Sequence, residues 1–146
     1  MLVYLDNCCY NRPFDDQTQI RIMLEARAKM YIQGLIIRKK IKLAASFISR
    51  SENNDNPFVE NKNSISRFLG FATKYIGNEY IEEVRVLRDN FMKMNIKMKD
   101  ATHLACAVLA KCDYLITTDD KFIKRYNGNE IKTVNPINFL GIIKEV

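Results

Sequence analysis

Long apolar runs are the first thing this sequence lacks. Nothing in it approaches the ~18–20 consecutive apolar residues that a helix needs to cross a bilayer, so no membrane-spanning segment is expected. The opening MLVYLDN has no basic segment followed by an apolar one, so a secretory signal is not expected and a cytoplasmic protein is. Histidine occurs once and CxxC not at all, which removes the usual Cys/His spacings for zinc. Of the four cysteines, Cys8 and Cys9 point apart in extended chain, and Cys106 and Cys112 sit in an apolar helical stretch. Reduced thiols are the expectation. There is no internal repeat and no linker long enough to divide the chain, and 146 residues suit a single domain, 1–146, with a substantial core. The hydrophobic share of 47% and charged share of 27% are ordinary for a globular protein and exclude disorder.

Positive charge is what the chain has in excess. Its 23 basic against 17 acidic side chains give a net charge of +6, which favours polyanionic partners. That excess becomes informative if the acids gather in one place. A basic surface around an acidic pocket suits metal-dependent phosphodiester chemistry.

Read in order, LVYL (Leu2 to Leu5) is apolar on both faces, the pattern of a central parallel strand. Asn7 to Asp16 is expected as a loop, with Asp15 or Asp16 capping a long helix over Gln17 to Ile37, whose apolar residues recur at helical spacing. A second strand is expected over Lys42 to Phe47, a short helix and loop over Ser49 to Asn56, and a helix over Phe58 to Thr73 with Pro57 in its first turn. Tyr75 and Ile76 suggest a third strand, Asn78 to Met94 and Ala101 to Lys111 two helices, and Tyr114 to Thr117 a fourth strand. A short helix over Asp120 to Tyr126, a strand over Ile131 to Val134 and a helix opening at Pro136 complete the pattern. Strands separated by helices point to an α/β sandwich with a mostly parallel sheet and helices on both faces.

Ligands of open parallel sheets bind beyond the carboxyl ends of the strands. Asp6 follows LVYL and Asp119 follows YLIT, while Asp100 opens the helix that leads into YLIT. If the two strands are neighbours, all three carboxylates reach one rim. Taken singly, Asp100 and Asp119 are also ordinary helix caps, and Asp6 an ordinary turn residue. Gathered together, they repel and raise one another's pKa values unless a hard, oxygen-preferring cation such as Mg²⁺ or Mn²⁺ neutralises them.

VYLDN, the KDATHLACA helix start and YLITTDDKF together resemble a PIN domain, closest to the small prokaryotic members that include VapC-type toxin ribonucleases. The resemblance runs from Leu2 to the IKTVNPINFL ending. It implies a three-layer α/β/α sandwich and a Mg²⁺- or Mn²⁺-dependent endoribonuclease cleaving single-stranded RNA. It also implies a toxin role checked by an antitoxin protein, and a homodimer. The family's first, third and fourth acids fall on Asp6, Asp100 and Asp119, with Asp120 able to replace or assist the last. The second acid matches Glu52 best, with Asp55 and Glu60 as neighbouring rivals. Cys8 stands where many relatives carry a hydroxyl residue.

Asn7, Thr117, Thr118, Asp120 and Lys121 are candidates for substrate contact at the rim. Arg12 and the cluster Arg38, Lys39, Lys40 and Lys42 are candidates to track an RNA backbone, although such clusters are more often simply solvated. His103, one helical turn from Asp100, reads as a packed or supporting residue, and Glu25 as a surface partner of Arg21 or Lys29. The alternative function is a non-catalytic PIN-like module that binds RNA or protein. A receiver-like phospho-acceptor is disfavoured because KLAAS ends without an aspartate. A dehalogenase-type phosphatase is disfavoured because Asp6-Asn7-Cys8 lacks its paired aspartates.

Overall fold

A computed structural model describes residues Met1–Ile143. The strands are β1 (Leu2–Leu5), β2 (Lys42–Ser46), β3 (Lys74–Ile76), β4 (Tyr114–Ile116) and β5 (Lys132–Val134). The helices are α1 (Asn7–Asn11), α2 (Ile20–Ile37), α3 (Phe47–Asn54), α4 (Val59–Leu69), α5 (Ile81–Met92), α6 (Met98–Leu109), α7 (Asp120–Arg125) and α8 (Pro136–Ile142). All five strands are parallel, in the order β3-β2-β1-β4-β5. From β1 the chain steps outward through β2 to β3, then returns to lay β4 on the other side. The order therefore reverses between β1 and β4, the place where an open parallel sheet leaves a crevice at its carboxyl rim.

Strand periodicity divides the core in two. Tyr4, Ala44 and Leu115 are paired across β1, β2 and β4 and face one way, where they pack with Val84, Phe91 and Leu104 of α5 and α6. Val3, Leu5, Leu43, Ala45 and Ile116 face the other way, onto Ile32, Leu35, Ile65, Phe68 and Phe139 of α2, α4 and α8. The result is a three-layer α/β/α sandwich whose central strands are apolar on both faces. Ala101, Ala105 and Ala107 are wholly buried, and their small side chains let α6 lie close to the sheet with its first turn at the carboxyl rim.

The segment expected as a loop holds α1 and a 3₁₀ turn at Arg12–Phe14. α1 starts because Asp6 caps it, its carboxylate accepting the Asn7 N–H at 2.8 Å. Neither Asp15 nor Asp16 caps α2, which begins at Ile20 after Gln19. Asp16 instead accepts the N–H and hydroxyl of Thr18 in a local turn. Pro57 lies outside α4, and α3 follows β2 directly, capped by Ser46. All four cysteines are free, with only Cys8 partly exposed. No helix among the described residues is long and apolar enough to cross a membrane.

Two helix ends carry lysine where glycine is favoured. Lys39 (φ 61°) and Lys111 (φ 60°) follow α2 and α6 in the left-handed region. There the N–H of Lys40 reaches back to Leu35 O and that of Cys112 to Ala107 O, the i→i−5 bond of a Schellman ending. A side chain in that region costs about 1–2 kcal/mol, which glycine avoids at some cost in chain entropy. Lys39→Gly and Lys111→Gly are each expected to stabilise the protein by about 0.5–1 kcal/mol in urea unfolding. A loss of stability in both would refute this account of the helix ends.

Candidate metal centre

Four carboxylates line one cavity of about 180 Å³ at the carboxyl rim: Asp6, Glu52, Asp100 and Asp119, together with Asn7, Cys8 and Lys99. Each is delivered by a different element. Asp6 ends β1, Glu52 lies in the second turn of α3, Asp100 in the first turn of α6, and Asp119 caps α7.

Thr117 joins two of them. Its side chain, 0% exposed, donates to Asp6 Oδ2 at 2.9 Å, and Thr117 Oγ1 in turn accepts the Asp119 N–H at 3.1 Å. The Asp6 N–H meanwhile bonds Ile116 O at 3.0 Å, so the end of β1 is sewn to the end of β4. Asp119 Oδ1 accepts the N–H groups of Lys121 (3.0 Å) and Phe122 (3.2 Å), which fixes its carboxylate at the head of α7.

Glu52 is held by histidine. His103 is 1% exposed; its Nε2 lies 2.7 Å from Glu52 Oε1 and 3.6 Å from Asp6 Oδ1. Its Nδ1 lies 2.6 Å from the Tyr4 hydroxyl, which also meets Ser46 Oγ (2.6 Å) and Ser49 Oγ (3.1 Å). An ionised Glu52 can only accept, so Nε2 carries a proton toward it. In the neutral ring, Nδ1 then accepts from Tyr4, and Tyr4 from the serines. Burial pushes the imidazolium down, but the bond to Glu52 and the charges of Asp6, Glu52 and Asp100 outweigh it, so the net shift is upward.

Asp100 shows the strain of the assembly. Its carboxyl is pushed up to about 6, first by burial and then by the neighbouring Asp6 and Asp119, with His103 and Lys97 opposing. Among the described residues, no three His, Cys, Asp or Glu side chains form a ready-made set of ion ligands. Glu52 is engaged by His103, and Asp6 by Thr117 and the Asn7 N–H. The acids surround a space without closing on it.

The other rim candidates divide. Asn7 lines the cavity and accepts from Asn11 Nδ2 at 3.3 Å. Thr117 is buried between the acids and acts on them, leaving no hydroxyl for substrate. Thr118 is buried too, its hydroxyl accepting from Arg12 at 2.7 Å. Asp120 turns outward into a two-pronged pair with Arg21 (2.6 and 2.7 Å), away from the residues lining the cavity. Lys121 is exposed and gives the site its backbone N–H. Asp55 and Glu60 are not among the lining residues. Arg38, Lys39 and Lys40 precede β2 and Lys42 opens it, so the cluster lies at the opposite, amino end of the sheet.

Glu25 is a correction. It is 1% exposed, 3.4 Å from both Arg12 Nε and Arg21 Nε, and accepts from Asn135 Nδ2 at the head of α8. It is a buried tie between α2, α8 and the 3₁₀ turn, and its partner is Arg21 rather than Lys29. Lys99 was missed by sequence reasoning. Its signal was its place beside Asp100 at a helix start.

The Asp100 shift has a definite sign. Between the ordinary carboxylate value of about 4 and about 6, the unfolded chain has lost this proton while the folded chain keeps it. Stability therefore falls as pH rises through that window. Asp100 is half-exposed, so solvent screening reduces the effect to on the order of 1 kcal/mol. In chelator, Asp100→Asn is expected to raise the melting temperature near neutral pH by about 2–4 °C. The gain should vanish below about pH 4. A pH-independent difference in calorimetry would show that crowding of charge is not its cause.

Comparison of the chain with protein-family models and with curated proteins finds no match.

Proposed function

We propose that the protein is a metal-dependent endoribonuclease that cleaves single-stranded RNA at the cavity of Asp6, Glu52, Asp100 and Asp119. The observation that carries this reading is the gathering of four carboxylates from four elements around one cavity in a chain of net charge +6. The donor set fits a hard divalent cation: four carboxylates beside a single thiol, Cys8, an Asp100 raised by burial and by the neighbouring acids, and room for retained waters. Mg²⁺ or Mn²⁺ held by these acids would supply a Lewis acid for the phosphodiester and a means of activating water.

The chain's own groups do the rest. Thr117 fixes the carboxylates of β1 and β4 relative to each other, and His103 keeps Glu52 turned toward Asp6. Lys99, exposed at the mouth, offers a cation to an approaching phosphate, and Asn7 an amide to a base or ribose. The resemblance to PIN domains supports the same chemistry, and carries by itself the toxin role, the antitoxin partner, the homodimer and the cytoplasmic setting.

A second reading has its own observation. Glu52 is committed to His103, and among the described residues no closed ligand set exists. A PIN-like module that binds RNA or protein without cutting would look the same.

Cleavage of labelled single-stranded RNA in Mn²⁺ or Mg²⁺ separates the two. Wild type is expected to cut, to stop in EDTA, and to lose at least about 100-fold in rate in Asp6→Asn and in Asp100→Asn. Activity retained in both variants would defeat the assignment. RNA binding indifferent to EDTA, with no RNA cut, would favour the second reading.

The histidine makes a separate prediction. His103→Ala, which frees Glu52, is expected to weaken Mn²⁺ binding about 10-fold by calorimetric titration. His103→Gln, which can still donate to Glu52, should recover part of that loss. Equal affinities in all three proteins would mean that His103 does no more than fill space.

A further inference from the structure

On the opposite face of the sheet from α6, a second cavity of about 150 Å³ lies between α1, the Arg12–Phe14 turn, α2 and α4. It shares no lining residue with the acidic site. Its walls are mostly apolar, with Phe14, Ile65 and Phe68 among them; Gln33 and Ser64 also line it, and two further lining residues carry underpaired polar groups.

One is Lys29, a lysine only 4% exposed. Its ammonium lies 5.1 Å from the ring centroid of Phe68 and 5.8 Å from that of Tyr10, and donates to Gln33 Oε1. No carboxylate among the described residues pairs with it, and burial pulls it down to about 8. An ammonium has three N–H donors, and Gln33 takes one. The other is the Tyr10 hydroxyl, fully buried with no hydrogen-bond partner among the described residues. Buried donors are normally satisfied, so a buried cation with no carboxylate needs an explanation, and the orphan Tyr10 hydroxyl belongs to a second residue of the same lining.

The missing partner is an acceptor with negative charge. The cavity's volume suits a benzene-sized ring, and Phe14 and Met30, 45% and 49% exposed, leave it open to solvent on one side. We propose that this cavity binds a small organic carboxylate, its anionic group against the Lys29 ammonium and its apolar body between Phe14, Ile65 and Phe68. A carboxylate accepts from several donors at once, and hydrogen bonds between ions are the strong ones. The apolar walls select against inorganic anions, which would lose their hydration without recompense. Occupancy of this cavity does not depend on whether the protein cuts RNA, since the two sites share no residue.

Benzoate is the probe. Amide spectra of the full chain, titrated with sodium benzoate, are expected to show saturable shifts around Tyr10, Lys29 and Phe68. Lys29→Met, close in shape but uncharged, should bind at least about tenfold more weakly. Benzyl alcohol, the neutral counterpart, should be weaker on wild type as well. Lys29→Met loses a buried unpaired charge, so its melting temperature should match or exceed that of wild type. If it fails to fold, Lys29→Gln replaces it. Four results would overturn the proposal: no saturable shift at the cavity, equal affinity for benzyl alcohol, undiminished binding in the Lys29 variant, or occupancy by an apolar acidic peptide with none by benzoate.

Discussion

Like charges do not gather unless something holds them, and the hydroxyl of Thr117 is central to that here. It spans from β4 to the carboxylate beyond β1 while anchoring the backbone of Asp119. Because the bridge is neutral, it fixes the two acids without cancelling their charge. Asp100, which approaches from α6, is raised first by burial and then by the residual charge of both. The sheet's reversal between β1 and β4 supplies the crevice, and the packing of small alanines beneath α6 supplies the approach. An acidic cavity is thus a product of topology as much as of residue type.

The fourth acid is held differently. Glu52 is the end of a hydrogen-bonded chain that links Ser46 and Ser49 to it through Tyr4 and His103. Tyr4 belongs to the same core face as Ala44 and Leu115, so its ring packs with the apolar interior while its hydroxyl serves the site. Core and cavity therefore share a residue. A change in packing beneath β1 would be felt at Glu52 before it was felt at the other acids.

Much of this was legible in the sequence, and what was not has physical causes. LVYL and YLIT read as strands because they are short and apolar on both faces, and the acids beyond them followed from where parallel strands end. α1 was hidden: NCCYN has no helical period, and only the capping potential of Asp6 announced it. Asp16 looked like a cap but spends its carboxylate on Thr18. Glu25 and Lys29 read as surface charges on a long helix, because nothing local marks the side that will be covered. Their burial is set by Asn135 in one case and by Tyr10 and Phe68 in the other, and the sequence does not say that these will arrive. The link between His103 and Glu52 spans 51 positions and leaves no local trace.

A sheet whose strands all run one way has two unlike ends. The acids occupy the carboxyl rim, while Lys42, Lys74 and Lys132 each open a strand at the other, with Lys39, Lys40 and Lys111 beside them. The lysine end is the more basic of the two, although Asp113 stands among its side chains as Lys99 stands at the acidic rim. On a negatively charged matrix the molecule would settle lysine end down, leaving the acidic mouth facing the liquid.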